Sequence, residues 1–368
     1  MTQSARDPGR ISRALRRIPW WASVPAAFAG VIAALYVWMP IGGRYLVFQA
    51  IIQGFVVGSV YVLGASGLSL TYGIKKFANF AHGDMMTVGA YVAFSVTTYL
   101  RADIIWGFAT AMLAVAFLGV FLELSVFRRL EKRGEIAALI ASVGVSLLLQ
   151  NLLGFVFLGN LLYMPVQTPQ DFPIGTTGLS FNWFKGGLTI ALAVVLMVSL
   201  HVLLRYTTLG KAMRACADDL DLARASGINT RNVVLWTWAI SGSLAGIAGV
   251  LLGILVYLVP LVGFFILLFI FSAVIVGGIG SPYGAMVGGF LIGVVEKLSN
   301  VFFGQLTTMG VIENGPNYAP AGAFVVMVLV LLIKPEGLMG RRRPSAGRRR
   351  RWPLTARKLR KEVASVGD

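Results

Sequence analysis

Three groups of residues in this sequence have types and spacings suited to chemistry. The first lies at 205–231, R-Y-T-T-L-G-K-A-M-R-A-C-A-D-D-L-D-L-A-R-A-S-G-I-N-T-R, a polar island between long apolar runs. It holds Asp218, Asp219 and Asp221, three of the 15 acidic residues of the chain. Small residues (Ala212, Ala215, Cys216, Ala217, Ala223, Ala225) line a stretch of good helix formers, and Gly227 follows. That pattern predicts a short helix ending at Gly227, because glycine just past a helix takes the left-handed conformation at no steric cost. Thr207 or Thr208 is placed to cap its start. A compact helix with small side chains suits docking against another protein; the plainer reading is a helical loop with no partner.

The second group is Asn79-Phe80-Ala81-His82-Gly83-Asp84, at the boundary of two apolar runs. Ionisable groups near a membrane interior usually face a bundle core or cavity and mark a pathway. The alternative is an interfacial turn, with Asn79 and Asp84 capping helix ends and His82 at head-group level. The third group is the glycine-rich break Gly277, Gly278, Gly280, Ser281, Gly284, with Glu296 beyond it. Glu296 and Lys297 are adjacent, so on a helix their side chains point about 100° apart and need not pair. Glu123 is placed to snorkel or to pair with Arg128 or Arg129.

No catalytic set accompanies these groups. His82 and His201 are the only histidines and Cys216 the only cysteine, too few for a Cys/His metal site or an internal disulfide. No G-x-x-x-x-G-K-[ST] occurs, so the chain holds no ATP through a P-loop. An ATP-driven device built on it needs its motor on another polypeptide.

The elements that position these residues follow from composition. Of the 368 residues 57% are hydrophobic and 13% charged, where a soluble domain carries about 25% charged. Continuous apolar runs of about 20 residues recur, which predicts an all-α, polytopic membrane bundle of about ten spans and excludes the alternating strands of a barrel. The runs lie near 22–40, 46–71, 85–100, 104–127, 136–158, 186–204, 233–256, 262–276, 284–303 and 319–333. The eighth is the weakest, a candidate for a broken or re-entrant helix. Gly54/Gly58 and the series Gly242, Gly246, Gly249, Gly253 predict close backbone approach between helices. Residues 72–91 and 276–290 echo each other, each joining two apolar runs through a glycine-rich break, as in transporters built from repeats.

The formal charge of +17 sits at the ends and in alternate loops. That is the positive-inside signature, and it argues against nucleic acid as a partner. Both termini are expected on the cytoplasmic side. Only Arg44, Arg101 and Lys185 fall outside, with Lys297 inside a span. The expected organisation is a basic tail at 1–19, a permease domain at 20–340 with the island as its coupling loop, and an Arg-rich tail at 341–368 suited to anionic lipid head groups. Pro19-Trp20-Trp21 marks the first membrane interface.

Several stretches resemble one known family. They are Y-G-I-K-K-F-A-N-F-A-H-G-D at 72–84, I-A-S-V-G-V-S-L-L-L-Q-N at 140–151, T-T-L-G-K-A-M-R-A-C-A-D-D at 207–219 with S-G-I-N at 226–229, V-G-G-I-G-S-P-Y-G-A-M-V-G-G at 276–289, and Y-A-P-A-G-A-F-V-V-M-V-L-V-L-L-I-K-P-E-G-L at 318–338. Together they look like the membrane permease of branched-chain amino-acid ABC importers, over roughly 46–340. The resemblance implies a second permease subunit, two cytoplasmic ATPase subunits, a periplasmic binding protein and a place in the bacterial inner membrane. By the same resemblance no cofactor is expected in this chain, with ATP and Mg expected in the ATPase subunits. It also implies that Leu209, Gly210, Ala215, Asp218, Asp219, Ala223, Gly227, Ile228 and Asn229 belong to the ATPase-docking loop. Relatives of this family carry urea and short amides. A different class, an ion-coupled secondary transporter, would have to use Asp84 and Glu296.

Overall fold

The computed structural model describes residues 20–40, 43–166, 169–174 and 178–340. The two expected basic tails, and Pro19 at the expected first interface, lie outside these residues. Every expected apolar run is helical. The first six helices are α1 (Trp20–Trp38), α2 (Tyr45–Lys75), α3 (His82–Tyr99), α4 (Ile104–Leu122), α5 (Glu135–Val156) and α6 (Leu188–Tyr206). Two short helices follow, α7 (Thr208–Asp218) and α8 (Leu220–Ala225). The last four are α9 (Thr230–Leu255), α10 (Val262–Gly277), α11 (Pro282–Thr308) and α12 (Ala319–Ile333). Seven of the helical stretches (those of α2, α4, α5, α6, α9, α11 and α12) are long and apolar enough to cross a membrane by length and composition. Of the other expected spans, α3 opens on His82 and Asp84, and α10 has only 16 residues, about 24 Å of helix.

Glycine sets how closely the central helices pack. A Cβ added at Gly54 would lie 2.6 Å from Val294 Cα, and one at Gly58 would lie 3.1 Å from Phe290 Cα, so α2 and α11 meet backbone to backbone. On α9, Gly242 and Gly246 face the carbonyls of Val115 and Ala111, and Gly249 faces that of Met86. These are the close approaches that the spacing predicted, and they let dispersion and weak Cα–H contacts replace a hydrophobic drive that lipid does not supply.

The chain between α2 and α3 folds back into the bundle. Lys76 takes a left-handed conformation (φ 60°) and ends α2. By His82 the chain has returned to the level of Gly64, whose carbonyl lies 2.9 Å from His82 Nε2. Gly64 is eleven residues, about 16 Å, before the end of α2. The return is held by an aromatic stack: Phe77 lies 5.1 Å from Phe127, which stacks on Trp238 at 5.0 Å. The eighth run behaves similarly. Gly263, at the start of α10, packs against the backbone of Gly83, so α10 begins beside the start of α3.

One element had no counterpart in the sequence reading. The long connection after α5 contains a hairpin of β1 (Phe172–Ile174) and β2 (Leu179–Phe181), with Phe172 opposite Phe181. Gln49 of α2 clamps it: its Nε2 donates to Ser180 O at 2.8 Å and its Oε1 accepts from Ser180 N at 3.1 Å.

Candidate functional site

The polar island folds as two helices where one was expected. Thr207 caps α7, its Oγ1 accepting from Gly210 N at 3.0 Å. The helix then breaks at Asp219, which is extended (φ −154°, ψ 113°). Asp219 Oδ1 accepts from the backbone N–H of Asp221 and Leu222, both at 3.0 Å, and so starts α8. An aspartate followed by a helix-forming run supports either continuation or a new cap, and here the cap wins. Past the end of α8, Gly227 has φ +84°. Its N–H reaches Arg224 O, and that of Ile228 reaches Ala223 O, which is the Schellman arrangement. Asn229 caps α9 by accepting from Asn232 N at 3.2 Å.

This pair of helices has two faces. Gly210, Met213, Cys216 and Ala223 are buried, and Leu209, Ala215 and Ile228 pack against the bundle core. At Gly210 a side chain would run into the backbone of Leu203 and Leu204. Asp218, Asp219, Asp221, Gly227 and Asn229 are exposed, and so is the large apolar side chain of Leu222, 65% accessible. Burial pushes the Cys216 thiol pKa up, with Arg224 offsetting part of the rise. Lys76 ties α7 to the end of α2, its Nζ donating to Ala217 O at 2.7 Å.

The residues at 79–84 lie within the bundle. Asn79, His82 and Asp84 are all buried. Asn79 Oδ1 accepts from Ala81 N at 3.1 Å. Asp84 caps nothing; its Oδ2 accepts from Ser146 Oγ, and its Oδ1 accepts from Gln150 Nε2 at 3.1 Å. Ser142 Oγ accepts from Phe80 N at 3.0 Å. Ser142, Ser146 and Gln150 therefore form one stripe on α5, spaced by four, that holds the start of α3. The sequence showed these side chains, and their spacing was the signal for a shared face. His82 Nε2 donates to a carbonyl, which makes Nδ1 of the neutral ring an acceptor. His82 Nδ1 and Asn79 Nδ2 are buried and have no hydrogen-bond partner among the described residues.

The glycine-rich break closes on itself. The backbones of Gly277 and Gly284 touch. Gly278 (φ +113°) packs against Gly340, and Gly280 lies beside Gly73. Ser281 Oγ caps α11 by accepting from Gly284 N at 3.1 Å. Glu296 does pair with Lys297, at 3.1 Å, and it accepts from Tyr61 Oη at 2.5 Å. Long flexible stems bring the adjacent pair together despite their angle on the helix. Glu123 pairs with Lys75 at 2.6 Å rather than with Arg128 or Arg129. A π-helical turn, Glu123–Phe127, directs it inward at the end of α4. No cluster of metal-ligating side chains occurs among the described residues.

A glycine-packed bundle of apolar helices, seven of them long and apolar enough to cross a membrane, is a polytopic helical membrane protein. Comparison with known proteins sharpens this. The family described as "Branched-chain amino acid transport system / permease component" matches residues 50–333, and the chain belongs to it. It is 33% identical to the high-affinity branched-chain amino acid transport system permease protein LivH of Salmonella typhimurium, over 80% of this chain and 95% of that one. It is 32% identical to the corresponding protein BraD of Pseudomonas aeruginosa, over 81% and 97%. A probable LivH of Methanocaldococcus jannaschii is 31% identical over 79% and 92%. No solved structure matches. The chain is thus the permease component of an ABC transport system, not an enzyme.

Proposed function

We propose that the chain carries branched-chain amino acids across the inner membrane, receiving them from a periplasmic binding protein. A second permease completes the path, and two ATPase subunits drive it. The observation that carries this reading is the two-faced α7–α8 pair. Its inner face is sunk in the bundle, and its outer face offers Asp218, Asp219, Asp221 and Leu222 to a partner. α7–α8 is the ATPase-docking surface and lies on the cytoplasmic side with both termini. Gly210 and Ala223 serve it from behind, by seating the helices.

The path runs along the α3–α5 boundary. There Asp84 is held, among the described residues, by side chains of α5, and the open hydrogen-bonding atoms of Asn79 and His82 lie close in sequence on the α3 side. A polar solute needs such partners to leave water. The glycines at 277–284 act as the tight hinge at one end of α10 and α11.

The test is uptake in proteoliposomes holding the complete transporter. Asp218→Ala/Asp219→Ala/Leu222→Ala should leave ATP hydrolysis running while labelled leucine uptake falls about tenfold or more, the loss of a docking contact worth about 1.4 kcal/mol or more. Normal uptake in that variant overturns the docking assignment, and uptake without the ATPase, driven by an ion gradient, overturns the ABC reading.

A further inference from the structure

One cavity, of about 220 Å³, belongs to neither the docking face nor the path. It opens where the ends of α2 and α4 meet α8 and the start of α9. Its charge pattern is mixed. Arg128 and Arg231 are exposed and form no side-chain ion pair or hydrogen bond among the described residues, while Lys75 is spent on Glu123 and Glu131. Glu123 is 2% accessible, and its Oε2 has no hydrogen-bond donor among the described residues. Of the remaining lining, Arg224 is turned to Asp221 and Thr230, Glu131 shares Lys75, and Leu220, Val234 and Leu235 give an apolar patch.

These features select among ligands. A simple anion would satisfy the arginines and leave Glu123 Oε2 without a donor, which is costly for a buried carboxylate. A simple cation would face the arginines. A zwitterion answers both demands, and an apolar side chain on it answers Leu220 and Val234. We propose that this pocket binds a free α-amino acid with an apolar side chain. Its carboxylate lies toward Arg128 and Arg231, its ammonium toward Glu123, and its side chain against Leu220 and Val234. Because α8 forms one wall, the occupant bridges the docking pair to α4 and α9. The site therefore reports amino acid on the docking side of the membrane to the coupling elements and holds them against the bundle. The choice of leucine as ligand rests on the transport reading above.

The experiment is equilibrium binding of tritiated L-leucine to the full chain in phosphatidylcholine nanodiscs, without the ATPase. Saturable binding is expected, weakened about tenfold or more in Arg128→Gln/Arg231→Gln, as for the loss of charge-assisted hydrogen bonds. Both arginines are exposed, so this variant should fold, and an unchanged melting temperature checks it. Isocaproate and isopentylamine, each with one charge, should fail to compete. The proposal is overturned by absence of saturable binding, by binding that the double variant leaves intact, or by displacement with phosphoethanolamine in preference to leucine, which would make the pocket a lipid head-group site. Uptake by the complete transporter, measured in parallel, separates the two ideas. Uptake without the saturable site overturns the pocket alone, and a saturable site without uptake overturns the transport reading alone.

Discussion

Two glycines show how differently one residue type is used. A Cβ at Gly249 would enter the backbone of Met86 and Ala90, whereas one at Gly144 on α5 meets nothing within 4 Å. Gly249→Ala should destabilise the protein by about 1–3 kcal/mol through overpacking. Gly144→Ala should gain up to about 1 kcal/mol from helix propensity. Opposite shifts of the unfolding temperature in detergent would confirm this, and shifts of the same sign would refute it. The Lys75–Glu123 pair makes a second case. Its side chains are 8% and 3% accessible, so Lys75→Met strands a buried carboxylate and should cost about 3–5 kcal/mol. Lys75→Met/Glu123→Leu should recover most of that loss in the same assay, since two apolar groups replace the ion pair.

At the scale of elements, α8 has only six residues and cannot hold together by propensity alone. Its cap at Asp219 and its Schellman end at Gly227 define it. Asp219→Ala should therefore cost about 1 kcal/mol and raise amide exchange across residues 220–225, while Asp219→Asn keeps the cap and should leave exchange near the parent. Equal exchange in both variants would mean that the cap at Asp219 is not what holds α8. The sequence announced the island's polarity and its terminal glycine, and it announced the ten helical runs. It did not announce the split at Asp219, because capping and continuation use the same residue type and only tertiary seating decides between them. The depth of Asp84 was hidden for a related reason. Its partners Ser146 and Gln150 lie 62 and 66 residues away, and hydropathy marks where a run ends, not where the chain goes next. The β-hairpin is held by Gln49, 131 residues before Ser180, a pairing that no local pattern encodes.

At the scale of the whole molecule, the native thiol makes a built-in control for orientation. Leu222→Cys and Tyr163→Cys place thiols at sites 65% and 68% exposed. An impermeant maleimide on intact cells should label the Tyr163→Cys variant at once, and the Leu222→Cys variant only after the membrane is opened. Cys216 should stay unlabelled in both, because it is 1% accessible and burial raises its pKa, which keeps the reactive thiolate scarce. The reverse pattern would invert the topology.

The clamp on Ser180 and the bond to Ala217 sit at opposite ends of a single helix. α2 runs unbroken for 31 residues, and from Gln49 on the hairpin to Lys76 on α7 it spans about 40 Å. Hydrogen-bonded helix is stiff along its axis, so a thrust at one end arrives at the other without being absorbed between. α2 is a rigid strut between the hairpin and α7. Any stroke that lifts α7 must move the hairpin with it or else part Gln49 from Ser180.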